Sequence, residues 1–156
     1  MEPKGRPADR EINRSAMHLL HRAGQCAGDL FTEEVVNSAL TPRQFAVLLT
    51  ISQEEGLSQT DLVDRTGIDR STLADIIRRM LKKGLIRRRR TKQDARVYAV
   101  KLTDDGAEVL NAAQPAAFQA DARLLAALPE ARRGEFLNSL STIVGAMTAS
   151  NGKDTA

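Results

Sequence analysis

The chain has 156 residues, enough for one domain of ordinary size, and 42% of them are hydrophobic, so a core can form. Aromatics are only 3% with no Trp, which leaves Leu, Ile, Val, Ala and Met to build that core; one cysteine, Cys26, excludes an intramolecular disulfide framework and fits a reducing compartment. The formal net charge of +3 hides an uneven distribution: Arg70 to Lys101 holds twelve basic and two acidic residues, and the rest holds eleven and eighteen, from totals of 23 and 20. A basic segment on an acidic body suits a polyanion bound in one orientation, nucleic acid or an anionic membrane surface. The opening MEPKGRPADR has no apolar run of signal-peptide type, and no window is apolar enough to span a bilayer. A soluble cytoplasmic protein with no membrane partner is expected.

Residues 1–8, with Pro3, Gly5 and Pro7, are expected to form a flexible arm. From Asp9 the spacing of Ile12, Ala16, Leu19, Leu20, Ala23, Ala27, Leu30 and Phe31 predicts a long helix reaching about Ala39. Thr41, Pro42 and Gln44 then form a capping box with proline at the first helical position, and Phe45, Leu48, Leu49 and Ile51 are its core candidates. Gly56 stops that helix. Ser58 and Asp61 cap a short helix ended by Gly67. Asp69 caps the next, where Leu73, Ile76, Ile77, Met80 and Leu81 mark the buried face, and Gly84 ends it after two lysines that suit its negative end.

LIRRRR and VYAVKL, around the polar TKQDAR, predict a β-hairpin. Thr103 and two aspartates cap a long helix with a kink expected at Pro115. Pro129 opens the last helix, with a stripe of Phe136, Leu137, Leu140, Ile143, Val144 and Met147. The predicted class is mainly α with a small β-hairpin: a winged helix-turn-helix over 41–103, embedded in a helical dimerisation region of 9–39 and 104–149, with flexible tails at 1–8 and 150–156. The two terminal stripes would stay exposed without a partner chain, which predicts a dimer.

Asp94-x-Arg96 followed by Leu102-Thr103-x-x-Gly106 resembles the wing signature of the MarR family of bacterial transcription regulators. LTPRQFAVLLTI is similar to that family's second helix, and SQTDLVDRTGIDRSTLADIIRRMLKKGLI to its helix-turn-helix running into the wing. The resemblance covers nearly the whole chain. It implies a homodimer on a pseudo-palindromic double-stranded DNA operator, often as a repressor released by a small aromatic acid and in some relatives by oxidation. One departure stands out: the usual recognition helix has a base at the position of Asp75 and an acid at that of Arg78, and here they are exchanged. Asp75 can pair with Arg78 or Arg79, or accept from a cytosine amino group.

DNA contacts are expected from Arg70, Ser71 and Thr72 at the start of the recognition helix, from Arg78, Arg79 and Lys82 further along it, and from Arg88, Arg90 and Lys92 in the hairpin. The pleat places Arg87 and Arg89 on one face of the strand and Arg88 and Arg90 on the other. Arg96 is expected to reach the minor groove, its guanidinium held by Asp94 in a forked ion pair. An aromatic carboxylate effector is expected near His18, His21, Arg22 and Phe45. Two His and one Cys make a poor metal set, so no metal and no cofactor is expected. Cys26 is expected to be a buried bystander thiol. No nucleophile–base pair or phosphate loop points to an enzyme. The competing readings are a nonspecific architectural DNA-binding protein and a regulator released by thiol oxidation.

Overall fold

The computed structural model describes residues 12–94 and 96–151. The expected arm at 1–8, the helix start at Asp9 and residues 152–156 of the tail lie outside these. Six helices and one hairpin follow in the order α1 (Ala16–Glu34), α2 (Pro42–Gln53), α3 (Gln59–Thr66), α4 (Arg70–Lys82), β1 (Ile86–Arg90), β2 (Tyr98–Leu102), α5 (Asp104–Leu125) and α6 (Glu130–Asn151). The chain divides into two compact units, one ending at Ala120 and the other beginning at Asp121.

The caps form as the sequence predicts. Thr41 and Gln44 exchange side-chain-to-backbone hydrogen bonds of 3.2 and 3.1 Å at the start of α2. Ser58 and Asp61 do the same at α3, at 3.1 and 2.8 Å. The Ser58 backbone N–H, then the Ser58 hydroxyl, donate to the Asp61 carboxyl and hold it below the usual carboxylate range. Gly67 and Gly84 close α3 and α4 with φ of +69° and +71°, the left-handed conformation that costs glycine nothing.

The core of the first unit is aliphatic, with Val47, Leu48, Leu62, Leu73, Ile77, Met80 and Val100 almost fully buried. It joins the inner faces of α2, α3 and α4 to the hairpin, with Leu110, Ala113 and Ala117 of α5. Each fully buried Leu, Ile or Met contributes roughly 1.5–3 kcal/mol of transfer free energy. Phe31 of α1 packs on Phe45 of α2 with ring centroids 5.6 Å apart.

Two expectations are corrected. The first helix does not run unbroken from Asp9 to Ala39: within the described residues it starts at Ala16, where Ser15 accepts from the His18 N–H at 3.4 Å, and ends at Glu34. A serine side chain that bonds the backbone offers it an alternative to the helix, and the β-branched pair Val35 and Val36 favours leaving it. Pro115 lies inside α5, which is continuous from 104 to 125. Cys26 is exposed, because α1 turns only its C-terminal end, at Phe31, into the core.

Thr103 ties the end of α4 to the start of α5. Its hydroxyl donates to the Gly84 carbonyl at 2.6 Å and accepts from the Gly106 N–H at 3.0 Å. Its own N–H donates to the Leu85 carbonyl at 3.1 Å. Gly106 crosses so close to that loop that an added Cβ would lie 1.9 Å from the Leu85 carbonyl oxygen. Gly106→Ala is therefore expected to lower stability by about 1–3 kcal/mol or more, read as a fall in the urea unfolding midpoint.

Candidate nucleic-acid interface

α4 has one buried face, formed by Leu73, Ile76, Ile77 and Met80. At about 100° per residue, the line diametrically opposite passes through Ser71, Asp75, Arg78 and Lys82. Arg70 lies nearer the flank, in the first turn. Asp69 caps the helix, accepting from the Thr72 N–H at 2.9 Å and the Ser71 hydroxyl at 2.8 Å. Ser71 thus serves the cap first and keeps acceptor capacity facing outward. Asp75 pairs with both arginines, with Arg78 Nη2 at one oxygen and Arg79 Nε at the other at 2.7 Å.

β1 and β2 pair antiparallel with Arg88 opposite Val100 and Arg90 opposite Tyr98. The hairpin is docked on the helix-turn-helix, because the Val100 N–H donates to the Leu57 carbonyl at 2.8 Å, just before α3. Arg88 Nη2 donates to Gln59 Oε1 at 2.9 Å. Arg90 lies over the Tyr98 ring, 5.7 Å from its centroid, with Nε donating to the phenol oxygen at 3.3 Å. The sequence reading did not assign Gln59 or Tyr98 to this surface. The register alone, Arg90 against Tyr98, would have found the second.

Asp94 does not form the expected fork. Its carboxylate accepts from the Arg96 backbone N–H at 2.9 Å, and among the described residues it makes no ion pair with the guanidinium. An aspartate side chain is short enough to bond the N–H two residues on, which closes a turn. Thr91 completes that turn, its hydroxyl donating to the Asp94 carbonyl at 2.8 Å and accepting from the Asp94 N–H at 3.2 Å. The Arg96 side chain and Lys92 are exposed at the wing tip.

None of the described cavities is lined by His18, His21, Arg22 or Phe45. Phe45 belongs to the core, while His21 and Arg22 are exposed on α1 and His18 is half-buried there. A separate cleft of about 400 Å³ is lined by Asn37, Ser38, Leu40, Lys83, Leu85 and Val109, among others. The Ser38 hydroxyl is buried with no hydrogen-bond partner among the described residues. Among those residues no group of three or more His, Cys, Asp or Glu is placed to hold a metal ion. Among the described residues no helix is long and apolar enough to cross a membrane.

Two capped helices meeting at a tight turn, the second outwardly basic and leading into a basic hairpin, define a winged helix-turn-helix DNA-binding protein. The MarR family model matches residues 40–98. The transcriptional regulator HosA of Escherichia coli O157:H7 is 35% identical over 117 residues, 75% of this chain and 85% of that protein. The chain belongs to the MarR family and is a DNA-binding transcriptional regulator. Two solved structures share its fold along most of both chains. BpsR of Bordetella bronchiseptica, whose DNA binding is regulated by 6-hydroxynicotinic acid, has a TM-score of 0.79 at 29% identity, over 84% of this chain and 94% of that one. The transcriptional repressor CouR, bound to a 23-mer DNA duplex, has a TM-score of 0.78 at 30% identity, over 86% and 95%.

The Asp69 cap has a pH signature. Hydrogen bonds from Thr72, then Ser71, lower its pKa from the ordinary 3.8 to about 2. A depressed carboxylate contributes stability that is full above its unfolded pKa and is lost as pH falls through the folded one. Asp69→Ala is expected to lower the denaturation midpoint at neutral pH, and the gap from the parent should narrow as pH falls from about 4 to about 2.

Proposed function

We propose that the protein is a homodimeric repressor of a pseudo-palindromic operator, with α4 in the major groove and the hairpin tip in the adjacent minor groove. The observation that carries this reading is the concentration of twelve basic residues between Arg70 and Lys101, on one helix and the hairpin that follows it. The dimer rests on apolar side chains that the single chain leaves exposed: Leu19 and Leu20 at 49% and 42% on α1, and Ile143 and Val144 at 47% and 61% on α6. A second copy would cover them and set two recognition helices roughly one DNA turn apart, about 34 Å. The domain division is read accordingly, with 9–39 and 104–149 serving dimerisation and 41–103 serving DNA.

Arg70, Ser71 and Thr72 position the helix start, Arg78, Arg79, Lys82, Arg88, Arg90 and Lys92 neutralise phosphates or reach base edges, and Arg96 enters the minor groove from the Asp94 turn. Arg96→Ala is expected to weaken binding to the intergenic operator about tenfold, or ~1.4 kcal/mol, in mobility-shift titrations at several salt concentrations. Unchanged affinity at every salt concentration would remove the wing from the interface.

We further propose that a small aromatic carboxylate releases the DNA, as 6-hydroxynicotinic acid regulates BpsR. His18, His21 and Arg22 offer donors on α1. The cleft beside Ser38 and Lys83 offers a buried hydroxyl, a cation and apolar walls. That unpartnered hydroxyl favours the cleft. Titrating protein–operator complexes with a panel of aromatic acids separates the two sets: Ser38→Val should raise the concentration needed for release, and a combined His21→Ala, Arg22→Ala change should not.

A further inference from the structure

We infer that the Asp75–Arg78 pair is the specificity-determining element of the recognition helix and reads one cytosine–guanine base pair in each operator half-site. Asp75 accepts from the cytosine N4 amino group, and Arg78 donates to the acceptors of the paired guanine. This rests on the reading above that α4 enters the major groove.

Three observations lead to it. First, Asp75 and Arg78 both lie on the line opposite the buried face of α4, about one and two turns beyond Ser71, so a helix in the groove aims both at the base edges. Second, the two are already joined. Arg78 Nη2 bonds one Asp75 oxygen and Arg79 Nε bonds the other at 2.7 Å. A carboxylate has about four lone-pair sites and a guanidinium five N–H donors, so an outward acceptor and outward donors remain side by side. Third, the surroundings keep the acid ionised: the Arg78 hydrogen bond is the largest influence holding its carboxyl below the usual range.

A cytosine–guanine pair shows the complementary pattern in the major groove, the N4 donor of cytosine beside the O6 and N7 acceptors of guanine. Thymine and guanine turn an acceptor toward a carboxylate and are repelled. A carboxylate facing DNA is unfavourable against phosphates, so its place on this line needs a donor opposite it. Asp75 is the only acid among the residues of α4.

The test is selection from randomised duplexes by the full-length protein and by Asp75→Ala and Asp75→Asn. The parent is expected to enrich cytosine at one position of each half-site, and changing that base should cost roughly tenfold in affinity. Asp75→Ala should weaken the preference at that position alone. Asp75→Asn should shift it toward adenine, which asparagine binds through N6 and N7. If both variants select the parental sequence unchanged, the inference is overturned and operator recognition stands. If Asp75→Ala instead binds all sequences more tightly with a steeper salt dependence, Asp75 only neutralises its arginines and the inference is likewise overturned. Failure of the parent to select any sequence would overturn the operator reading together with this one.

Discussion

The recognition surface depends on the junction at Thr103. One hydroxyl donates to the last carbonyl of the α4 turn and accepts from the first turn of α5, while Gly106 lets the two backbones cross without a side chain between them. This half-buried hydroxyl has its single donor committed to one helix end and accepts from the other, so a shift of either end would break one of these bonds. The hairpin leaves from the same place, since Leu85 bonds back to Met80 on one side and accepts from Thr103 on the other. Helix, wing and α5 therefore share one frame. Anything that tilts α5 near Val109, which also lines the Ser38 cleft, would act on the recognition helix through these bonds.

Within that frame, like charges are kept apart by specific partners rather than by distance alone. The pleat sends alternate arginines of Arg87–Arg90 to opposite faces. Gln59 then steadies Arg88 and Tyr98 steadies Arg90, at little cost in charge because neither partner is anionic. The two acids of the basic segment act differently. Asp75 holds two guanidinium groups, and Asp94 spends its carboxylate on backbone, leaving the Arg96 guanidinium without an ion-pair partner among the described residues. An arginine already locked in a fork would have to exchange that partner for DNA. An arginine whose backbone is set by the turn, with its head in water, does not.

Local chemistry was legible in the sequence because its range is short. Capping boxes at Thr41 and Ser58, the Asp69 cap and the glycine stops each involve residues within about four positions, and all formed. The buried face of α4 was legible by periodicity, and the hairpin by two short segments flanking a polar turn. What failed depended on tertiary context or on competition within a turn. The apolar stripe of α1 did not say which of its residues meets the core of the single chain; Phe31 is buried there and Leu19 stays exposed. The Asp94–Arg96 spacing allowed both a side-chain fork and a turn-closing bond, and the turn won because the backbone N–H is already within reach. Gln59 was invisible because its partner Arg88 is 29 positions away.

Charge alone cannot account for recognition of one DNA sequence. Phosphate contacts by lysines and arginines give affinity and orientation, and they are the same for every sequence. Discrimination has to come from groups on the outward line of α4, where Ser71 is partly committed to the Asp69 cap and Lys82 is a flexible point charge. That leaves the joined Asp75 and Arg78 as the donor–acceptor pattern on that line. A joined pair loses less conformational freedom on binding and is penalised more when the base opposite is wrong. The exchange of acid and base along this helix, relative to the usual pattern of the family, therefore reverses the order of acceptor and donor facing the groove. A protein built this way would be expected to keep the family's fold and docking while reading a different base pair at that step.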